Sequence, residues 1–538
     1  MRSGGQILVD QLKIQGVRHV SCVPGESYLA VLDALYDSGI EVTTCRQEGG
    51  AAMIAEAQGK MTGRPGICLV TRGPGACNAS AGIHIARQDS TPMVVFVGQV
   101  ARNMRGRDAF QEVDYRASFS DLAKWVVEVD DPARLPEIVA RAFQMAISGR
   151  PGPVVVALPE DMLIEMAQVS DAGYVSAPGS APCPETMTAA LRALQEAKRP
   201  LVIAGGSRWT RQAVADLQSL SERMNLPVAV SFRRQDLFCS THPNFAGDLG
   251  VAADPDLVAY AKEADVILLL GGRLSEMPSQ GYSLLDIPVP KQHLIHVHPG
   301  TEELGRVYQA DCAINSAPPE FLTLALQHAP KGPDRTALLK QRAEALSKRR
   351  IVPAPSGALD MGKVMEYLNE TLPDDTVICN GAGNYATWVH RFYRFTRHGT
   401  QLAPVSGSMG YGLPAAIAAA REGRQAVAFA GDGCFLMHGQ EFATAVQYAL
   451  PVLVIVVDNG MYGTIRMHQE RDYPGRVCGT ELKNPDFAAM ARAFGGFGET
   501  VSHSEEFAPA LARAKASGQP ALLHLRLSPG SLGVGQTL

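Results

Sequence analysis

The chain has 538 residues, which is too many for one hydrophobic core, so its length predicts two to four domains. A net charge of −5, from 49 Lys and Arg against 54 Asp and Glu, argues against a nucleic-acid or anionic-membrane partner. The longest apolar runs are strand-sized and too short to cross a bilayer, and the first residues lack the apolar core of a secretory signal. Ten scattered cysteines without a C-x-x-C pair indicate reduced thiols and a cytoplasmic protein.

Short apolar runs alternate with helical stretches along the whole chain, which is typical of α/β domains with parallel sheets. In the first 160 residues the predicted helices are 26–38, 48–62, 76–87 and 133–148, and the predicted strands are His19–Val23, Ile67–Val70, Met93–Val97 and Val154–Leu158. Two further runs have predicted strands at Leu201–Ala204, Val228–Ser231, Val266–Leu270, Leu294–Val297, Thr376–Cys379, Ala426–Ala430, Val452–Val457 and Ala521–Leu525.

This alternation predicts an α/β protein of three doubly wound parallel-sheet domains, at 1–165, 189–328 and 358–530. Residues 166–188 are rich in Ala, Pro, Ser and Gly, and 328–358 are charged and contain Pro, so both segments are predicted linkers. No internal repeat is visible at the level of single residues.

The strongest local signal is Gly431-Asp432-Gly433 after an apolar strand, followed by a predicted helix at Gly439–Ala449, a second strand and then Asn459. Because both loops leave the carboxyl ends of consecutive parallel strands, Asp432 and Asn459 can reach one ion. Hard oxygen ligands suit Mg2+. The glycines let the main chain approach phosphates, and a helix N-terminus favours their charge. A lone G-D-G is often a surface turn, but its pairing with Asn459 favours the metal site.

These residues resemble the signature of thiamine-diphosphate-dependent enzymes, and the order and spacing of further motifs resemble acetolactate synthases over most of the chain. The resemblance implies that Asp432, Asn459 and the carbonyl of Met461 bind Mg2+. Asp458 stands where the usual motif has a first asparagine, which is not a ligand. The implied contacts to thiamine diphosphate are Gly431, Gly433, Cys434, Asn384, Tyr385, Pro24 and Asn78.

The helix start at residues 46–59 resembles the family's E-x-x-A-x-x-A-E pattern. The resemblance implies that Glu48 activates the cofactor at its aminopyrimidine ring, although an acid at a helix N-terminus is also stabilising by itself. Glu56 is predicted to lie on the helix surface or to contact a partner. Residues 406–416 resemble the G-x-M-G-x-G-L-P-A-A run, which implies that Met409 is the apolar wedge that bends the cofactor and that Gly407 bonds its pyrimidine. A methionine among glycines is otherwise core filler.

The run Ala109-Phe110-Gln111-Glu112 matches the acetolactate synthase A-F-Q-E, which implies that Phe110 and Gln111 face the reacting carbonyl. The His-His pair of pyruvate decarboxylases has no counterpart, which favours carboligation over release of an aldehyde. Glu26 occupies the position of a proton-handling aspartate in those decarboxylases, so it is either a general acid/base or a cap for the helix at Ser27. Lys124 lies near a family lysine but lacks its neighbours, so a site role is disfavoured.

Departures from acetolactate synthases concern the second substrate. Met277 stands where an arginine grips the carboxylate of the acceptor, so a bidentate clamp is lost and a different acceptor is allowed. His468 replaces an expected tryptophan. His84 is near the expected pocket, but a packing role is favoured for it.

The strand that holds the adenosine end of FAD in acetolactate synthases reads I-D-I-D-P there and Ile295-His296-Val297-His298-Pro299 here. The loss of both carboxylates puts FAD in doubt, while an adenine nucleotide or a CoA substrate stays open. His296 and His298 alternate along a strand and suggest a metal pair, but solvent-facing or hydrogen-bonded side chains are the favoured prediction.

The expected function is Mg2+- and thiamine-diphosphate-dependent decarboxylation of a 2-oxo acid, pyruvate by default, with ligation of the remaining fragment to an acceptor. The alternative is a 2-oxo acid or acyl-CoA decarboxylase or lyase of the oxalyl-CoA or 2-hydroxyacyl-CoA type. A non-catalytic scaffold would need a broken cofactor site, and a Rossmann dehydrogenase would need a complete G-x-G-x-x-G motif, which is absent. The resemblance implies a homodimer or homotetramer with the site at the dimer interface.

Overall fold

The computed structural model describes residues 1–538 and contains three six-stranded parallel sheets with helices on their faces. This arrangement confirms the predicted α/β fold class. The strands of the first 170 residues are β1 (Arg2–Ser3), β2 (His19–Cys22), β3 (Glu41–Thr44), β4 (Gly66–Val70), β5 (Met93–Gln99), β6 (Trp125–Glu128), β7 (Pro153–Pro159) and β8 (Met166–Ala167). The helices are α1 (Gly4–Ile14), α2 (Leu29–Tyr36), α3 (Glu48–Thr62), α4 (Pro74–Asp89), α5 (Tyr115–Phe119), α6 (Leu135–Ile147) and α7 (Glu160–Ile164).

The edge strands of this first sheet were not predicted. The sheet order is β3-β2-β4-β5-β7-β6, and β4, β5 and β7 are buried along their whole length. Interior parallel strands are covered on both faces and therefore form continuous apolar runs. β3 and β6 lie at the edges and are partly exposed, so their sequences carry no such run.

The central sheet has the order β11-β10-β9-β12-β13-β14, in which the chain direction across the sheet reverses between β9 and β12. Its strands are β9 (Pro200–Ala204), β10 (Val228–Ser231), β11 (Phe245–Leu249), β12 (Val266–Leu270), β13 (His293–His298) and β14 (Cys312–Asn315). Its helices are α8 (Pro184–Glu196), α9 (Arg211–Met224), α10 (Pro255–Glu263) and α11 (Pro318–His328). At the reversal the loops after β9 and β12 pack so closely that a Cβ on Gly206, whose φ is +72°, would lie 1.7 Å from the Gly271 carbonyl oxygen.

The C-terminal sheet has the order β16-β15-β17-β18-β20-β19. Its strands are β15 (Val377–Asn380), β16 (Gln401–Leu402), β17 (Ala426–Gly431), β18 (Val452–Asp458), β19 (Phe497–Val501) and β20 (Ala521–Arg526), followed by a hairpin of β21 (Ser531–Gly533) and β22 (Gln536–Thr537). Its helices are α13 (Met361–Thr371), α14 (Ala386–Phe392), α15 (Gly412–Arg421), α16 (Asp432–His438), α17 (Phe442–Gln447), α18 (Gly463–Asp472), α19 (Phe487–Ala493) and α20 (Ser504–Ala516). The six strands of the first and last sheets follow the same spatial order, so the fold contains a repeat that the residues do not reveal.

One hydrophobic core of 73 buried residues continues from the first sheet into the last, with α3 packed on α15. Glu56, on α3, is fully buried in this contact, so its prediction as a helix-surface residue is wrong. Its carboxylate accepts hydrogen bonds from Thr91 Oγ1 and Tyr411 Oη and pairs with Lys60. The first and last sheets of one chain are therefore fixed to each other by their helices.

Two predicted segments differ in detail. The linker predicted at 328–358 contains a helix, α12 (Thr336–Arg349), whose only fully buried side chain is Arg342, so the sequence shows almost no apolar stripe there. The helix predicted at Gly439–Ala449 instead begins at Asp432 as α16, tightens into a 3-10 turn at Gly439–Glu441 and continues as α17. No helix has both the length and the apolar character needed to span a membrane.

Candidate active site

Five segments at the carboxyl edge of the C-terminal sheet line a cavity of about 270 Å³. They follow β15, β16, β17, β18 and β20, and the sheet order reverses between β15 and β17, which is where open α/β sheets bind ligands. The sequence-predicted residues that line this cavity are Asn384, Tyr385, Gly407, Met409, Gly431, Asp432, Gly433, Cys434, Asn459 and Met461.

The predicted metal ligands have free oxygens on this cavity. Asn459 donates its Nδ2 to the Ser531 carbonyl at 2.8 Å, which leaves Oδ1 available as a ligand. Asp432, the first residue of α16, is buried and accepts a hydrogen bond only on Oδ2. Burial and the neighbouring Asp458 raise the pKa of Asp432, and a bound cation would favour its ionised form. No cluster of three or more His, Cys, Asp or Glu side chains could hold a metal by itself, so further ligands must be amide, backbone or phosphate oxygens.

The thiol of Cys434 connects the loop that carries Met409 with the start of α16 at Asp432. Cys434 Sγ accepts a hydrogen bond from the Gly410 amide at 3.2 Å and lies 3.3 Å from Tyr385 Oη. Gly407 has a φ of +69° with open space where its Cβ would be, so its backbone can approach a ligand. Met409 packs partly buried against the core at this point. These residues fit a cofactor that enters with an apolar ring system and a diphosphate.

The predicted activator Glu48 is the first residue of α3 and is half-buried. Asn78 Nδ2 donates to Glu48 Oε2 at 2.9 Å, so the two predicted residues are neighbours. Capping of α3 is performed by Gln47, whose side chain accepts from the Gly50 amide. The carboxylate of Glu48 accepts no backbone hydrogen bond, which leaves it free for a ligand.

Glu26 follows Pro24 at the carboxyl edge of the first sheet, and its side chain is 70% exposed. Its Oε1 accepts from Arg72 at 3.0 Å, and the same guanidinium donates to Glu160 at 2.8 Å. No backbone N–H donates to the Glu26 carboxylate, so the predicted cap of a helix at Ser27 is wrong. The buried arginine holds Glu26 at the loop surface.

Phe110 and Gln111 lie on a loop closed by Glu112, which accepts from the amides of Gly106 and Ala109. Phe110 is 75% exposed. Gln111 has a left-handed φ of +65°. It packs so closely on Gly73 that a Cβ added to Gly73 would lie 2.9 Å from the Cβ of Gln111.

The structure therefore divides the predicted site into two sets. The metal and diphosphate residues share one cavity, whereas no residue of the first sheet lines it. The residues absent from this cavity are Pro24, Glu26, Glu48, Asn78, Phe110 and Gln111. These six lie on the loops or in the first turns of the helices that follow β2, β3, β4 and β5, so they form a second set at the carboxyl edge of the first sheet, which we call the first half-site.

A larger cavity of about 670 Å³ lies where the three sheets meet and shares Gly383 and Gly407 with the smaller one. Met277 and His84 both line this cavity. The side chain of His84 is exposed, so its predicted packing role is wrong. Four arginines also line this cavity: Arg233, Arg234, Arg273 and Arg306.

His296 and His298 are both buried, so the solvent-facing alternative is wrong and the hydrogen-bonded one agrees with the structure. His296 Nε2 lies 2.9 Å from the Gly272 carbonyl oxygen, and His298 Nδ1 accepts from the Gly300 amide at 3.0 Å. Burial lowers the pKa of His298 to about 4, so its ring is neutral near pH 7.

Lys124 is a structural residue, as favoured, because its Nζ donates to the carbonyl oxygens of Ser148 and Arg150. Burial lowers its pKa to about 8.

Glu441 was missed by the sequence analysis. This buried carboxylate accepts from the amides of Arg46 and Gln47, directly before Glu48. The available signal in the sequence was that Glu441 is an acidic residue among the apolar residues of the helix predicted at Gly439–Ala449.

Comparison with known proteins identifies three domains of one enzyme family along the chain. Residues 2–118 match the N-terminal TPP binding domain of thiamine pyrophosphate enzymes, 187–324 match their central domain and 381–525 match their C-terminal TPP binding domain. Thiamine pyrophosphate, or TPP, is another name for thiamine diphosphate.

Several curated relatives are acetolactate synthase large subunits. That of Parasynechococcus marenigrum is 32% identical over 98% of this chain and 88% of its own length. The isozyme 2 large subunit of Escherichia coli is 31% identical over 98% of this chain and 95% of its own. A probable acetolactate synthase large subunit of Methanocaldococcus jannaschii is 30% identical over 98% and 92%. The chain therefore belongs to the thiamine-pyrophosphate-dependent enzymes of the carboligase type that resemble acetolactate synthase.

Proposed function

We propose that the enzyme uses thiamine diphosphate and Mg2+ to decarboxylate a 2-oxo acid, pyruvate by default, and to join the remaining fragment to an acceptor. The cavity that Asp432, Asn459 and Met461 line together with Gly407 and Met409 carries this proposal. When bound, thiamine diphosphate supplies a nucleophilic carbon and an electron sink for the loss of CO2.

The protein's own residues bind, orient and exchange protons. Asp432 and Asn459 would hold the cation that neutralises the diphosphate, and the Met409 side chain would pack against the cofactor as its apolar wedge. Glu48, oriented by Asn78, would donate or accept a proton at its carboxylate toward the aminopyrimidine ring of the cofactor.

The substrate side of the site belongs to the first half-site. Phe110 covers the reacting carbonyl and excludes water, while Gln111 donates a hydrogen bond to it. Glu26, held by Arg72, moves a proton to or from the product oxygen.

We further propose that two chains complete each site in a homodimer or homotetramer. The support is the separation of Glu48 from the cavity of Asp432 within one chain, together with the exposure of Phe110 and Asn78. The scattered cysteines support a cytoplasmic location for this assembly.

Mixing two inactive variants tests this arrangement. A chain with Glu48→Gln and a chain with Asp432→Ala are each inactive alone, but a mixed dimer retains one site with Glu48 from one chain and Asp432 from the other. An equimolar exchange of subunits restores about a quarter of the wild-type activity, because about half of the dimers are mixed and half of their sites are intact. Continued inactivity of exchanged dimers would contradict shared sites.

A second candidate function is the decarboxylation or lysis of an acyl-CoA. Arg233, Arg234 and Arg273 line the larger cavity without a carboxylate partner, since each donates only to backbone carbonyl oxygens. Arg233 is buried and the other two are half-buried, and cations without counter-charges in such a cavity favour an anionic ligand such as the phosphates of CoA. FAD fits this cavity poorly at its adenosine ribose, because His296 and His298 are engaged with the backbone and Glu303 is paired with Arg150.

The deciding experiment measures CO2 release from a panel of 2-oxo acids, with and without thiamine diphosphate and Mg2+, and identifies the products. Cofactor-dependent conversion of pyruvate to acetolactate supports the first proposal. Turnover of an acyl-CoA alone supports the second. Absence of turnover with bound cofactor would contradict both and favour a non-catalytic scaffold.

A further inference from the structure

Asp458, the residue directly before the candidate ligand Asn459, is the centre of a buried hydrogen-bond network. Its Oδ2 lies 2.8 Å from His524 Nε2. Its Oδ1 accepts from Asn484 Nδ2 at 2.8 Å and from the Gly460 amide at 2.9 Å. Both oxygens are thus fully engaged, and the Gly460 bond holds the loop that carries Asn459 and Met461.

Asn484 connects this network to the other metal ligand. Its Nδ2 donates to Asp432 Oδ2 at 2.7 Å as well as to Asp458 Oδ1. One amide nitrogen thus bridges two carboxylates that would otherwise repel each other. The bond occupies one oxygen of Asp432 and leaves Oδ1 towards the cavity, so it selects the orientation of the ligand.

His524 anchors the network in the sheet. It lies on β20 opposite Val456 of β18, and its side chain is only 6% exposed. Its ring stands edge-on to Phe487 with centroids 5.0 Å apart. Phe487 begins α19, three residues after Asn484, so the side chains that bond Asp458 come from a strand and from the loop before a helix that packs on this strand.

We infer that Asp458, Asn484 and His524 are positioning residues that give this enzyme its selectivity for Mg2+ over larger divalent cations. The inference rests on the proposed cation site at Asp432 and Asn459. Mg2+ demands near-ideal octahedral geometry, whereas Ca2+ accepts irregular coordination at longer distances. A hydrogen-bond network that fixes Asp432 and Asn459 therefore favours the smaller ion. Removal of this network lowers the affinity for Mg2+ more than the affinity for Ca2+.

The test measures the affinities for Mg2+ and Ca2+ separately by calorimetric titration of the full-length enzyme in the presence of thiamine diphosphate. Asp458→Ala and Asn484→Ala weaken Mg2+ binding about 10–100-fold, the usual cost of losing an outer-shell partner, and weaken Ca2+ binding clearly less. Asp458→Asn keeps the selectivity, because its Oδ1 still accepts from Asn484 and Gly460 and its Nδ2 donates to His524 Nε2 once the imidazole carries its proton on Nδ1. Asp216→Ala, at a partly exposed position of α9, is the matched control.

Equal weakening of both cations in folded variants, or no weakening of either, would overturn the inference. If Asn484→Ala does not fold, His524→Phe removes the donor to Asp458 while keeping a ring against Phe487, and the same loss of selectivity is expected. Absence of cofactor-dependent Mg2+ binding by the wild-type protein would instead refute the proposed cation site itself.

Discussion

Replacement of Glu441 tests whether the C-terminal domain holds the loop of the first domain that leads to Glu48. Glu441 is fully buried, and its carboxylate accepts from the amides of Arg46 and Gln47 and from Thr444 Oγ1. In Glu441→Ala both amides lose their acceptor. A buried N–H without a partner costs about 1–3 kcal/mol, partly offset by removal of a buried charge, so a local loss of about 2–4 kcal/mol is expected.

The assay is hydrogen–deuterium exchange of the peptide that spans residues 41–52. A local loss of about 2 kcal/mol accelerates exchange about 30-fold at these amides, because each 1.4 kcal/mol is a factor of ten. Glu441→Gln keeps Oε1, which accepts from both amides at 3.0 Å, so its exchange stays near the wild-type rate. Glu344→Ala, at an exposed position of α12, is the control. Unchanged exchange in Glu441→Ala, or the same increase in Glu441→Gln, would refute the reasoning.

Three further outcomes are expected. Glu48→Gln abolishes turnover, while the circular dichroism spectrum and cofactor binding are retained. The reason is that the Glu48 side chain accepts only one hydrogen bond, from Asn78, so its replacement leaves the fold intact. Unchanged turnover would exclude Glu48 as the activator. Asn459→Ala lowers Mg2+-dependent retention of thiamine diphosphate in equilibrium dialysis by about 10-fold or more, and equal retention would contradict its role as a ligand. Burial lowers the pKa of His438 to about 4, against about 6.5 in the unfolded chain. Between these values the unfolded state binds more protons, so stability falls as pH drops from 6.5 to 4, and His438→Gln flattens this slope in denaturant titrations; an identical slope would contradict it.

Local patterns in the sequence were sufficient for the parts of the protein that depend on local burial. The interior strands β4, β5, β7, β17 and β18 are continuous apolar runs because helices cover both of their faces. The convergence of Asp432 and Asn459 on one cavity was equally predictable, because consecutive parallel strands present their carboxyl ends at one edge of a sheet. The domain limits at 1–165, 189–328 and 358–530 stay predictions.

Tertiary structure alone decided the contacts between segments that lie far apart in the chain. Glu441 meets Gln47 across 394 residues, and Asn484 meets Asp432 across 52, so no local periodicity could show either contact. Glu56 looked like a surface residue because a charged side chain on a helix is usually solvated, yet the packing of α3 on α15 surrounds it with hydrogen-bond partners. The sequence by itself thus determined the family and proposed residues for the cofactor chemistry, whereas the packing of the sheets decided which of those residues share a cavity within one chain.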